Sequence, residues 1–118
     1  MATKQSITLI EDDDPTVALT VTTAAAAAYN LSGQRVEIVV KPRANSPVAD
    51  TLYTLSSVGA SPKITVDTPA TLGTATADFT DRLADPGVYW YHAYVADTAS
   101  ADTGRHTFAY GPLIIRDV

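Results

Sequence analysis

Two histidines, His92 and His106, are the only imidazoles in the chain, and cysteine is absent. Without a thiolate, a metal site would need these two rings and at least one carboxylate. No spacing places that third ligand, and the rings lie on separate candidate strands whose register the sequence leaves open. They read as polar strand residues, and no metal ligand is assigned. The run Glu11-Asp12-Asp13-Asp14 is a second candidate. Calcium takes roughly six to eight oxygen ligands in a shaped loop. Four consecutive acids cannot all turn inward, and no glycine among them lets the loop fold round an ion. The run reads as a solvated turn that keeps a strand edge charged; weak calcium binding or an electrostatic contact to a basic neighbour is the alternative. No G-x-S-x-G and no glycine-rich loop opening a helix is present. Glycoside hydrolysis needs two carboxylates about 5–9 Å apart, and no pair is marked by its surroundings. No catalytic residue and no cofactor is assigned, and the expectation is a protein that is not an enzyme.

The aromatic stretch at 88–95, VYWYHAYV, is more informative. Side chains alternate across a strand. Ala93 and Val95 suit a core, so the even positions Trp90, His92 and Tyr94 are expected to face outward. An exposed Trp/His/Tyr row is what a protein–protein or carbohydrate contact uses, because aromatics dominate interface hot spots. The competing expectation is that the chain's own loops, such as residues 44–60, cover this face.

The elements that must hold that row are strands. Apolar residues recur with a period of two in 5–10 (QSITLI), 16–23 (TVALTVTT) and 35–41 (RVEIVVK). Val17, Leu19 and Val21 share one face; so do Val36, Ile38 and Val40, opposite Arg35, Glu37 and Lys41. Shorter candidates span 52–55 and 63–67. Residues 71–79 (TLGTATADF) form a Thr/Ala strand whose glycine suggests a bulge. Residues 88–96 form the strongest strand. The last spans 105–115, where Gly111-Pro112 implies a bulge or an edge position, since proline cannot donate to a ladder. Turn signals separate these strands, among them Asp14-Pro15, Ser32-Gly33, Asn45-Ser46-Pro47, Asp85-Pro86-Gly87 and Asp102-Thr103-Gly104. Short, evenly spaced strands with this punctuation predict an all-β sandwich. The five alanines at 24–28 cannot repay helix nucleation alone. They are read as the connection before the Asn30-Leu31-Ser32-Gly33 turn, with Leu31 anchoring it in the core. Residues 80–84 could form one helical turn, and residues 1–6 an arm that adds to a neighbour's sheet or a frayed end.

The chain has 118 residues, 46% apolar and 18% charged, enough for one domain spanning 1–118 with its own core. A net charge of −5 and a pI near 4.6 disfavour the basic stripe of a nucleic-acid binder and an anionic membrane surface. No apolar run approaches the roughly 18 residues of a membrane span, and no signal peptide is visible. The expected site of synthesis is a cytoplasm.

The order of pieces also carries a resemblance. A short strand and an acidic turn lead into T-V-x-L-T-V, then N-L-S-G-Q-R-V-E-I-V-V-K, then D-R-L-A-D-P-G-V-Y-W-Y-H-A-Y-V, and the end is G-P-L-I-I-R-D-V. This resembles the small immunoglobulin-like β-sandwich domains of tailed-phage virion proteins, of the decoration or upper-baseplate N-terminal type. Asn30 to Gly33 matches that family's turn-strand, Leu83 to Tyr91 its L-P-x-G-x-Y-x-Y corner, and Gly111 to Ile115 its closing strand. The resemblance implies an immunoglobulin-like antiparallel β-sandwich of about 7–8 strands, with Tyr89 and Tyr91 turned inward. It further implies a structural subunit of a bacteriophage virion, assembled in the host bacterial cytoplasm. Such a subunit would decorate the head shell in many copies or serve as a tail or baseplate accessory. Its partners would be major capsid or tail subunits, with homo-oligomers possible. Residues 44–62 match nothing in the pattern, and no coiled coil or receptor-binding region follows, which points to a stand-alone accessory subunit. A carbohydrate-binding or adhesin module, with Trp90 and Tyr94 as a stacking platform, is the other reading.

Overall fold

The computed structural model describes residues 3–4, 6–10, 16–22, 27–43, 52–59, 62–79, 87–97 and 106–116. Nine strands follow in chain order: β1 (Thr3–Lys4), β2 (Ile7–Ile10), β3 (Thr16–Thr20), β4 (Gln34–Lys41), β5 (Tyr53–Ser56), β6 (Ile64–Val66), β7 (Thr74–Asp78), β8 (Gly87–Asp97) and β9 (His106–Arg116). The acidic run at 11–14, the helical turn expected at 80–84, residues 44–51 and the loop at 98–105 lie outside the described residues.

The strands form two sheets. The large one runs β1-β9-β8-β4-β5, with β2 also on β9; the small one runs β3-β7-β6. This is the order of an immunoglobulin-like sandwich. Alternation decides which side chains meet between the sheets. Val36, Ile38 and Val40 of β4, Tyr91, Ala93 and Val95 of β8, and Leu113 and Ile115 of β9 face Leu19, Val21, Ile64, Ala75, Ala77 and Phe79, all buried. Leu31 joins them at 2% exposure. Its turn is closed by the Gln34 N–H donating to the Leu31 carbonyl (3.0 Å) and the Ser32 N–H donating to Asn30 Oδ1 (3.0 Å). Burying such a leucine contributes about 1.5–3 kcal/mol, which fixes where β4 begins. Ala27 and Ala28 are not helical: Ala28 bridges back to Thr22.

Four expectations need correction. The sandwich is not wholly antiparallel, because β1 and β2 both run parallel to β9. They hold one register, with Thr3 opposite Ala109 and Ile7 opposite Leu113, so they are one interrupted edge strand. The break falls opposite Gly111-Pro112, where the proline nitrogen has no hydrogen to give. The N-terminal arm therefore completes its own sheet. Second, β9 is an interior strand, and its bulge falls earlier than Gly111-Pro112: Ala93 faces Ala109 while Tyr94 faces Thr107. Phe108 is the extra residue, and both Phe108 and Ala109 reach the core. Third, Gly73 does not bulge a strand. It ends a 3₁₀ turn, Ala70–Leu72, with φ of 70°. A Cβ there would stand 2.8 Å from Tyr29 N and from Val21 O. Gly73 thus lets the connection after β3 lie against the start of β7, where its carbonyl accepts from the Val21 N–H (2.8 Å). Fourth, the strand expected over 88–96 is one residue longer at each end, with β8 running from Gly87 to Asp97.

Two outcomes follow from these contacts. Gly73→Ala meets both a left-handed backbone and three backbone atoms of Val21 and Tyr29, so it should cost at least about 2 kcal/mol in denaturant unfolding; a loss near zero would mean the close approach is not there. Burial pushes the Tyr91 phenol up to about 12 from its ordinary 10.0. The unfolded chain ionises first, so stability held by neutral Tyr91 is complete below pH 10 and is lost as pH rises toward 12. Unfolding midpoints should fall above pH 10 in the native chain and fall less in Tyr91→Phe.

Candidate interaction face

β8 sits between β4 and β9, so its outward residues occupy the middle of the large sheet. Register sets their neighbours, because directly opposed residues share a face. One row runs Lys4, Tyr110, His92, Val39, Thr54. The next runs Pro112, Trp90, Lys41, and another Thr8, Ile114, Val88. On the far side lies Thr107, Tyr94, Glu37, Ser56.

The three residues singled out from sequence are brought together, but not as a uniformly exposed row. Trp90 and His92 are half-buried. Tyr94 is only 4% exposed and forms a small apolar cluster with Val39 and Ala96. Its hydroxyl donates to Glu37 Oε1. The same oxygen accepts from Arg35 Nε at 3.2 Å, where both side chains are largely buried. The His92 ring stacks on Tyr94 with centroids 5.8 Å apart. Tyr94 is therefore a foundation for the face, tied down by charge-assisted hydrogen bonds. Trp90 carries the Lys4 ammonium over its ring, 5.8 Å from the centroid, a cation–π contact. Of residues 44–60, expected as a cover, Tyr53–Ser56 form β5 at the sheet edge beside β4, and residues 44–51 and 60 lie outside the described residues.

Val88, the even position before Trp90 on β8, is 66% exposed on the same face. Other members went unread in the sequence: Tyr110, 36% exposed, with Pro112 and Ile114. Their membership depends on the β8–β9 register, which no local pattern reveals. Arg35, Glu37 and Lys41 were expected on the outer side of β4, whereas the gathering of Lys4 and Arg116 with them depends on strand pairing. Lys4, Arg35, Lys41 and Arg116 fall on or around this face, and Glu37 is its one carboxylate among the described residues. In a chain with 13 acids and 8 bases, that is a local reversal of sign.

The histidines do not converge. His92 lies on the outer face, whereas His106 pairs with the core residue Val95. The His106 ring stacks on Tyr29 at 5.3 Å, and its Nε2 is buried with no hydrogen-bond partner among the described residues. No group of three or more His, Asp or Glu gathers among the described residues.

Glu37→Ala removes the acceptor that the Tyr94 hydroxyl and the Arg35 Nε share. It should cost about 1–3 kcal/mol of stability and loosen the His92–Tyr94 stack, read as a change in aromatic proton shifts. A loss within about 0.5 kcal/mol, as for an ordinary surface site, would contradict the foundation role.

Comparison with protein-family models and with curated proteins finds no match to this chain.

Proposed function

We propose that this protein is a non-enzymatic structural subunit of a bacteriophage virion that binds the head shell in many copies through the outer face of its large sheet. The phage assignment rests on the sequence resemblance. The observation that carries the binding role is the face itself: Trp90, Tyr110, Val88 and Ile114 stand together on a rigid central pair of strands, rimmed by Lys4, Lys41 and Arg116. Tryptophan, tyrosine and arginine are the residues most enriched at interface hot spots. A sheet face built on the core loses little entropy on docking. The partner surface that fits is apolar at its centre and acidic at its rim. Attachment at a tail or baseplate would use the same chemistry, and copy number separates the two.

The carbohydrate reading is weakened by two contacts. Lys4 occupies a face of the Trp90 ring, and Tyr94 is buried, so the two rings offer no paired stacking platform.

The test is co-sedimentation of the purified protein with particles of its phage prepared without it, across a salt series. Saturable binding at hundreds of copies, weakening as salt rises, is expected for a head decoration; a handful of copies indicates a baseplate or connector. Trp90→Ala should weaken binding by about 2 kcal/mol or more, with a much smaller effect on unfolding. Equal loss of both would remove Trp90 from the interface. Absence of binding, with retention on a glycan array instead, would favour the adhesin reading.

A further inference from the structure

The small sheet has three strands, and β3 is one of its edges. We propose that the free edge of β3 docks an extended segment of another polypeptide, uncharged and with apolar side chains at alternate positions, which adds as a fourth strand. This site lies on the opposite sheet from the face described above and does not depend on it.

Hydrogen-bond alternation identifies the groups on offer. The Val21 N–H donates to the Gly73 carbonyl, and β3 keeps one register with β7 from Thr16 to Thr20. In an antiparallel ladder the backbone groups of Val17, Leu19 and Val21 then point to β7. Those of Thr16, Ala18 and Thr20 point away from it. No strand among the described residues pairs with them. Native proteins usually guard such an edge with lysine, proline or a bulge. β3 reads TVALT, without charge, proline or register slip within the strand; the acids and the proline at 11–15 precede it in sequence. The other edge of this sheet, β6, is three residues long between Lys63 and Asp67.

Space and chemistry beside the edge define the occupant. A cavity of about 260 Å³ runs along it, bounded by Ala18 and Thr20 and floored by Ile7, Leu19, Phe108 and Ala109. An engineered apolar cavity of about 150 Å³ admits a benzene, so this one has room for inward side chains of an added strand. A row of unpaired backbone donors and acceptors is satisfied by another backbone, and an apolar floor by alternate apolar side chains. The chain's charge of −5 disfavours an acidic segment. A second copy's β3 is a poorer occupant: its Leu19, 6% exposed in its own core, would have to leave that core to fill the cavity.

The probe is a set of three end-blocked synthetic peptides titrated into the intact protein by NMR. One alternates valine with threonine, one has the same composition in two blocks, and one is the alternating peptide N-methylated at every second amide. The alternating peptide should bind saturably, shifting the Ala18 and Thr20 amides and the Ile7 and Leu19 methyls. The blocked-composition and N-methylated peptides should bind at least tenfold more weakly. Ala18→Pro removes an N–H that serves no ladder bond, and should weaken the alternating peptide by a similar factor; the N-methylated control decides the matter if that variant folds poorly. Equal binding by all three peptides, no binding by the alternating one, or the same amide shifts on concentrating the protein alone (making a second copy the occupant) would each overturn the proposal.

Discussion

The structure depends on β8 serving two surfaces at once. A strand offers its side chains alternately to two faces, and β8 is flanked by strands on both sides along most of its length. Tyr91, Ala93 and Val95 must therefore fill the core while Trp90, His92 and Tyr94 build the outer face. A one-residue slip against β4 would exchange the two sets. Such a slip would bury His92 and expose Tyr91, which the core holds at 1% exposure. Eight consecutive pairs with β4, from Gln34–Asp97 to Lys41–Trp90, hold the register in place.

The outer face inherits its rigidity from this register. Tyr94 is buried against Val39 and Ala96, and its hydroxyl, Glu37 and Arg35 share one hydrogen-bonded junction. His92 stacks on it, and the row through Tyr110 and Lys4 crosses two further strands. Carbons and cations are thus presented on a surface with little freedom to lose. On the opposite side of the sandwich, the small sheet is narrower than the large one. Its edge at β3 lies beside a cavity that Ala109, opposite Ala93 on β8, lines with a small side chain.

Much of this was legible from local pattern, and the limits have physical causes. Period-two alternation located the strands and the inward faces of β3, β4 and β8, because burial on one face writes itself directly into residue order. Leu31 was legible as an anchor because it is the lone apolar residue in a polar turn. The direction of β1 and β2 was not legible, since a parallel pairing with a strand about a hundred positions away leaves no local mark. The bulge at Phe108 was hidden because two consecutive apolar residues also fit an ordinary strand. Gly73 looked like a strand irregularity, and only its closeness to Val21 and Tyr29 shows why glycine is required there. For the candidate face, the even positions of β8 were legible. The burial of Tyr94 and the gathering of bases in an acidic chain were not, because both arise from cross-strand neighbours.

The most direct measurement is hydroxyl-radical footprinting of the protein free and bound to its phage particle, read residue by residue. Docking through the outer face predicts protection of Trp90, Tyr110 and Val88 on binding, with Leu72, exposed in the turn before β7, unchanged. Oxidation of Trp90 and Tyr110 at the free rate in the bound protein, with protection elsewhere, would contradict it.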